Sequence, residues 1–200
     1  MKQLVFATNN VTKSKRFSKG LLKKGIEVKS LKDIHITLNV EENGNTVIEN
    51  ALIKARGCYE KIKAPVIAMD DSLYLENVPD DKQPGLYVRR VNGKTLTDDE
   101  MLDYYINLVK KFGNNGKIDC KWIYGLAVID KSGNESTYTW EKGNFYIVDK
   151  VSSVINPGYP LNSISKYKNI DKYFTETTEE DLQKVKINED DVVDFIASHI

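Results

Sequence analysis

The chain predicts an α/β fold, a mixed sheet with helices packed against it. Two short all-apolar runs, Leu4-Val5-Phe6-Ala7 and Val66-Ile67-Ala68-Met69, read as strands buried from both sides. Capped amphipathic helices lie between and after them. A long apolar run from Ile118 to Asp130 is reversed at Lys131-Ser132-Gly133-Asn134 and returns from Glu135 to Trp140, the pattern of a hairpin. The order βαβαβ, then hairpin strands, then helices, specifies a mixed rather than an all-parallel sheet.

Taken in order, the first strand ends at Thr8-Asn9-Asn10. A helix is predicted from about Thr12 to Lys24, burying Phe17 and Leu21 and stopping at Gly25, a good C-terminal capping residue. Ile26-Glu27-Val28 opens a second strand, and His35 to Val40 alternates loosely before an acidic turn. Thr46 followed by Glu49 is a capping box, and the helix it starts carries Ile48, Leu52, Ala55, Tyr59 and Ile62 as its apolar stripe. The next strand is expected to end at Asp70. From there to about Gly93 the chain is loop-rich, with Pro79, Pro84 and Gly85. Thr97 and Glu100 form a second capping box, opening a helix that turns Met101, Leu102, Tyr105, Leu108 and Val109 to a core. After the hairpin, Asn144 to Val148 makes a further strand and Asn156 to Pro160 a loop. Two short helices capped by Thr178 and Asn188 close the chain.

Composition bounds the classes of function. Two hundred residues, 40% hydrophobic and 29% charged, suit one compact domain of two lobes over residues 1–200. Lys plus Arg equals Asp plus Glu at 29 each, so there is no basic field to hold a nucleic-acid polymer. No apolar run approaches the ~20 residues a membrane-spanning helix needs, and the stretch after Lys2 is too short for a signal peptide. Cys58 and Cys120 have no metal-ligand spacing around them and read as reduced structural thiols of a cytoplasmic protein. His35 and His199 are isolated, and neither is a credible base.

The chemistry concentrates in carboxylates. Asp70 and Asp71 follow a buried strand, and Glu41 and Glu42 precede the helix that Thr46 starts. Like charges gathered at ~4 Å cost roughly 4 kcal/mol per pair at an effective dielectric near 20, so the cluster asks for a cation. Hard oxygens without nearby His or Cys favour magnesium, which sits on one or two carboxylates plus substrate phosphates. Asn50 and Lys54 lie one turn apart and point the same way. A strand turning into a helix after Thr8-Asn9-Asn10 offers backbone N–H groups to an anion, and Lys13 adds a full charge. A cation, its acids and two lysines are what a polyphosphate ester requires.

These residues together resemble the inosine triphosphatase family of house-cleaning pyrophosphatases. Thr8-Asn9-Asn10-Val11-Thr12-Lys13 is similar to its phosphate loop. Glu42-Asn43-Gly44-Asn45-Thr46 into Glu49-Asn50-Ala51, then Lys54-Ala55-Arg56, resembles its most specific signature; Asp70-Asp71-Ser72 and Pro84-Gly85-Leu86-Tyr87 are similar to two further motifs. The resemblance implies an elongated α/β fold with a long central sheet between two lobes, a homodimer, and magnesium-dependent hydrolysis of non-standard purine nucleoside triphosphates to monophosphate and pyrophosphate. By it, Glu42 and Asp71 would hold magnesium, and Asp71 would also activate the attacking water. Asn10, Lys13 and Lys54 would bind phosphates, with Thr8, Asn9, Asn50, Asp70, Ser72, Arg90 and Tyr159 completing the substrate site.

Continuous resemblance runs to about Phe112, and the second half departs from it. Pro157-Gly158-Tyr159-Pro160 keeps the Gly-Tyr of the family's Phe-Gly-Tyr-Asp-Pro and loses its Phe and Asp. The family's later Ser-His-Arg has no counterpart in Thr178 to Ile187, where Lys184 and Lys186 are the only cations. Arg16 stands where many members have Glu. The expectation is therefore a pyrophosphatase with altered base selection. The alternatives are an enzyme for another modified nucleotide and a nucleotide-binding protein without catalysis.

Overall fold

The computed structural model describes all residues except 11, 12, 14, 186 and 187. Strand β1 (Lys2–Phe6) lies between β2 (Ile26–Ser30) and β3 (Val66–Leu75) and runs parallel to both. Beyond β3 the sheet continues through β6 (Lys117–Ile129), β7 (Glu135–Val148) and β8 (Ser165–Tyr167), the last pair antiparallel. Strands β4 (Arg90–Val91) and β5 (Lys94–Thr95) form a separate antiparallel pair. The described helices are α1 (Ser18–Lys23), α2 (Val47–Ile62), α3 (Asp98–Phe112), α4 (Glu179–Val185) and α5 (Asp190–Ser198). The mixed α/β class read from the sequence is the fold observed.

The chain divides into two compact units. The first comprises Met1–Asp71, Tyr124–Trp140 and Asn188–Ile200; the second comprises Ser72–Ile123 and Glu141–Ile187. In the first unit, Ala51, Ala55 and Cys58 of α2 pack with Val5, Ala7, Val66, Ala68, Ala127 and Ile129 of the sheet. Five of these are alanines, and small side chains on both surfaces bring the helix close to the strands. Gly125 on β6 extends the approach: a Cβ there would stand 2.7 Å from the carbonyl carbon of Val47. In the second unit, Met101, Tyr105, Leu108 and Val109 of α3 bury against Leu73, Leu75, Ile118, Phe145 and Ile147.

Several sequence expectations are corrected here. The predicted start of the first helix, Thr12, lies outside the described residues, as do Val11 and Lys186. Lys13 is itself helical, residues 15–17 form a turn in which Arg16 N–H donates to Lys13 C=O and Ser18 N–H to Lys15 C=O, three-residue bonds tighter than α-helix, and α1 follows from Ser18. The fully buried positions of α2 are Val47, Asn50, Ala51, Ala55 and Cys58; of the predicted stripe Ala55 is among them, Leu52, Tyr59 and Ile62 pack partly buried against the same core, and Ile48 does not. Strand β3 does not stop at Asp70; Leu73 and Leu75 are buried and carry it to residue 75. Glu135–Val148 is one continuous strand, because the in–out alternation runs on past Trp140 and Gly143. The capping box at Thr97 is complete, whereas at Thr46 the hydroxyl caps Glu49 N–H and the Glu49 carboxylate takes the N–H of Asn45 instead.

Candidate active site

The carboxyl end of β1 builds one wall. Thr8 Oγ1 accepts from Asn10 N–H at 3.1 Å, and Asn10 Oδ1 accepts from Lys13 N–H at 3.2 Å, so two short polar side chains fold the chain back and hold the base of Lys13. Asn9 ties this loop to the segment before the acidic turn by donating to Leu38 C=O at 3.3 Å.

Helix α2 builds the facing wall. Asn50 is 4% exposed, and both ends of its amide are engaged: Oδ1 accepts from Gly44 N–H at 2.9 Å, and Nδ2 donates to Asp70 Oδ2 at 3.0 Å. Gly44 has to be glycine on grounds of space, since a Cβ there would lie 2.6 Å from Glu49 Cβ and 2.8 Å from Asn50 Oδ1. One turn along, Lys54 Nζ donates to Asp70 Oδ1 at 2.9 Å and to Glu42 Oε2 at 2.8 Å. The Lys54 side chain is 11% exposed and Glu42 40%. Burial works against the ammonium charge, but the attraction of Asp70 and the hydrogen bonds to Glu42 and Asp70 outweigh it, so the pKa of Lys54 is raised.

Thr8, Asn9, Asn10, Lys13, Glu41, Glu42, Lys54 and Asp70 line one cavity of about 690 Å³, together with Leu38, Asn39 and Val40. Asp71 is ion-paired with Lys13. Both lysines thus face the same space. The acids do not stand as a bare cluster of like charge, because an ammonium is inserted at each aspartate. Among the described residues no group of three or more His, Cys, Asp or Glu is arranged to hold a metal by itself. Two carboxylates and space beside them are what magnesium uses when phosphate oxygens complete its shell.

Other predicted residues lie elsewhere. Ser72 follows Asp71 on β3 and belongs to the second unit, as do Arg90 and Tyr159. Arg90 stacks on the Tyr87 ring, 4.6 Å from its centroid, while neighbouring Arg89 is committed to Asp98, Leu96 C=O and Gly158 C=O. Tyr159 is half-exposed beside a 3₁₀ turn, Pro160–Ser163. Leu38 to Val40 lines the cavity without belonging to a strand, so the loose alternation in the sequence gave no sign of it. Both thiols are buried and unpaired, Cys58 pushed up to about 11 and Cys120 to about 12 by burial.

A family model described as the Ham1 family matches residues 4–159. A dITP/XTP pyrophosphatase of Leptospira interrogans is 33% identical over 135 residues, which are 68% of this chain and 66% of that protein, just under two thirds of its length. A dITP/XTP pyrophosphatase of Bacillus subtilis is 30% identical over 185 residues, covering 92% of this chain and 90% of that one. Among solved structures, the Staphylococcus aureus Ham1 protein superposes with a TM-score of 0.71 at 22% identity, covering 98% of this chain and 97% of that one. A HAM1 protein from Coxiella burnetii gives 0.71 at 19% identity, covering 99% and 98%. At these identities the structural likeness speaks to the fold alone.

Proposed function

The chain belongs to the Ham1 family, and from that premise we propose that it is a nucleoside triphosphate pyrophosphatase acting on non-standard purine nucleotides, among them the dITP and XTP named for its relatives. The single observation that carries the reading is the pair of lysines, Lys13 and Lys54, lining one cavity with Glu42 and Asp70. Lys13 and Lys54 leave their carboxylate partners to grip the triphosphate tail. Asn10 holds the Lys13 backbone, and Asn50 holds Asp70 from behind. Asp71 accepts a proton from the attacking water as its oxygen bonds to the α-phosphorus and the bond to the bridging oxygen breaks. The products are monophosphate, pyrophosphate and a proton. Catalysis of this kind rests on position and charge neutralisation, with general-base help worth ~10²- to 10⁴-fold.

Glu42 and Asp71 would hold magnesium, as the family resemblance implies: both offer hard oxygens, and among the described residues no His or Cys lines the cavity that holds Glu42. Bound there, the ion would neutralise charge developing on the phosphate oxygens. Thr8, Asn9 and Asp70 complete the polar lining, and Ser72, Arg90 and Tyr159 are further substrate-binding residues by the family resemblance, Tyr159 as a ring for the base. We read the protein as one domain of two lobes, a homodimer, and a resident of the cytoplasm; two buried, unpaired thiols suit a reducing compartment.

The test is pyrophosphate detection over inosine, deoxyinosine, xanthosine, common and modified pyrimidine triphosphates with magnesium chloride. Pyrophosphate without orthophosphate, fastest on a non-standard purine, is expected. Asp71→Asn should lose at least about 10²-fold in turnover while keeping its melting temperature. Orthophosphate as the product, or an Asp71→Asn variant of near-normal turnover, refutes the corresponding assignment. Saturable nucleotide binding with no product over hours would identify a binding protein instead.

A further inference from the structure

Arg16 lies outside the lining of the cavity that Lys13 and Lys54 share and is held from two sides. Its guanidinium meets the Glu189 carboxylate as a fork, with Nε 3.0 Å from both oxygens and Nη2 also in contact. The side chains are 20% and 15% exposed. The same guanidinium lies 4.2 Å from the centroid of Tyr124 and 5.5 Å from that of Trp140, and these two rings stack on one another at 5.0 Å. A planar cation between a bidentate acid and an aromatic face is held in one orientation, which an ammonium in its place would not be. All four residues belong to the first unit.

The connection to chemistry runs through the backbone. Arg16 N–H donates to Lys13 C=O at 3.0 Å, Lys13 N–H donates to Asn10 Oδ1, and Asn10 N–H donates to Thr8 Oγ1. The stretch bearing Lys13 is therefore pinned at one end by β1 and at the other by Arg16. Tyr124 senses the same place: burial pushes its hydroxyl up to about 12, Arg16 pulling against that and Asp71 adding to it.

We propose that Arg16 is a positioning residue for phosphate recognition, its Glu189 pair on the Tyr124–Trp140 stack fixing the chain so that Lys13 stays directed at Asp71 and the cavity. The proposal rests on the pyrophosphatase reading for its ligand, but not on turnover. Removing the fork would let Lys13 wander, and misplacement of a binding group is costly in affinity.

The experiment is a double-mutant cycle read by calorimetric binding of inorganic tripolyphosphate with magnesium chloride. Arg16→Gln should weaken binding about tenfold in the wild-type background and less than about twofold in a Lys13→Ala background, because its effect passes through that lysine. A merely structural Arg16 would weaken both equally. If Arg16→Gln does not fold, Arg16→Lys, which keeps the charge and loses the fork, carries the same cycle. Equal losses in the two backgrounds, unchanged affinity in the single variant, or no tripolyphosphate binding by the wild type would each overturn the proposal. Pyrophosphate release measured in parallel separates the two readings: the expected coupling without product would sink the hydrolase and leave the positioning role standing.

Discussion

Replacing Lys54 by methionine removes an ammonium that is bonded to Asp70 at 2.9 Å and to Glu42 at 2.8 Å while keeping most of its aliphatic volume. The two legs are unequal. Asp70 is 15% exposed, so losing its partner leaves a largely buried charge held, among the described residues, by the Asn50 amide; such losses cost about 3 to 5 kcal/mol. Glu42 is 40% exposed, water replaces its partner, and that leg is worth about 0 to 1 kcal/mol. Because the neighbouring amide remains, the low end applies, about 3 kcal/mol, which for a chain of this length lowers the melting temperature by about 6 to 12 °C. Adding Asp70→Asn to Lys54→Met should return about 1 to 3 kcal/mol, since the stranded charge is then gone. The raised pKa of Lys54 fixes the sign with pH. A raised ammonium contributes its stability in full below the free-lysine value of about 10.4 and loses it as pH climbs through the folded value, so the gap between wild type and variant is flat near neutrality and narrows in alkali. The assay is thermal unfolding by circular dichroism across pH. A Lys54→Met protein melting within about 1 °C of wild type at pH 7 would refute the claim that this lysine neutralises Asp70.

Gly44→Ala should cost about 1 to 3 kcal/mol, because the new methyl meets Glu49 Cβ and the Asn50 amide and must break the Gly44–Asn50 bond or shift α2; chemical denaturation measures it, and an unchanged midpoint would contradict the packing described. In the second unit, Lys172 and the Thr178 backbone and hydroxyl hold the Asp181 carboxyl at about 2. A depressed carboxyl gives stability that is present above the unfolded value of about 3.9 and lost as pH falls through the folded one, so the urea midpoints of wild type and Asp181→Asn should differ at pH 7 and converge toward about pH 2.

What the sequence disclosed was local. Thr97 with Glu100, and Asn50 one turn from Lys54, are short-range patterns whose geometry follows from the helical repeat, and both stand as read; of the box at Thr46 only the hydroxyl cap on Glu49 does. The deepest line of α2 was only partly readable, because it depends on which strand surface meets the helix: Ala55 was read as inward, whereas Val47, Ala51 and Cys58, which face the alanines and Gly125, were not. The polar Asp70-Asp71 pair looked like the end of a strand; only the burial of Leu73 and Leu75 shows that the ladder continues. That Lys13, Lys54, Glu42 and Asp70 converge on one cavity follows the expectation from their spacing. The interleaving of lysines between acids was not legible, and neither was the meeting of Arg16 with Glu189 across 173 positions.

The unbroken run of β3 has one more implication. Successive positions on an extended chain project to opposite sides, and here Asp70 turns to Asn50 and Lys54 while its neighbour turns to Lys13. The two aspartates are identical in chemistry and distinguished only by odd and even. Losing or gaining a single residue upstream in this strand would exchange their partners without changing any side chain, whereas a change of two would leave the parity intact. Tolerance to insertion along these ten residues should therefore alternate.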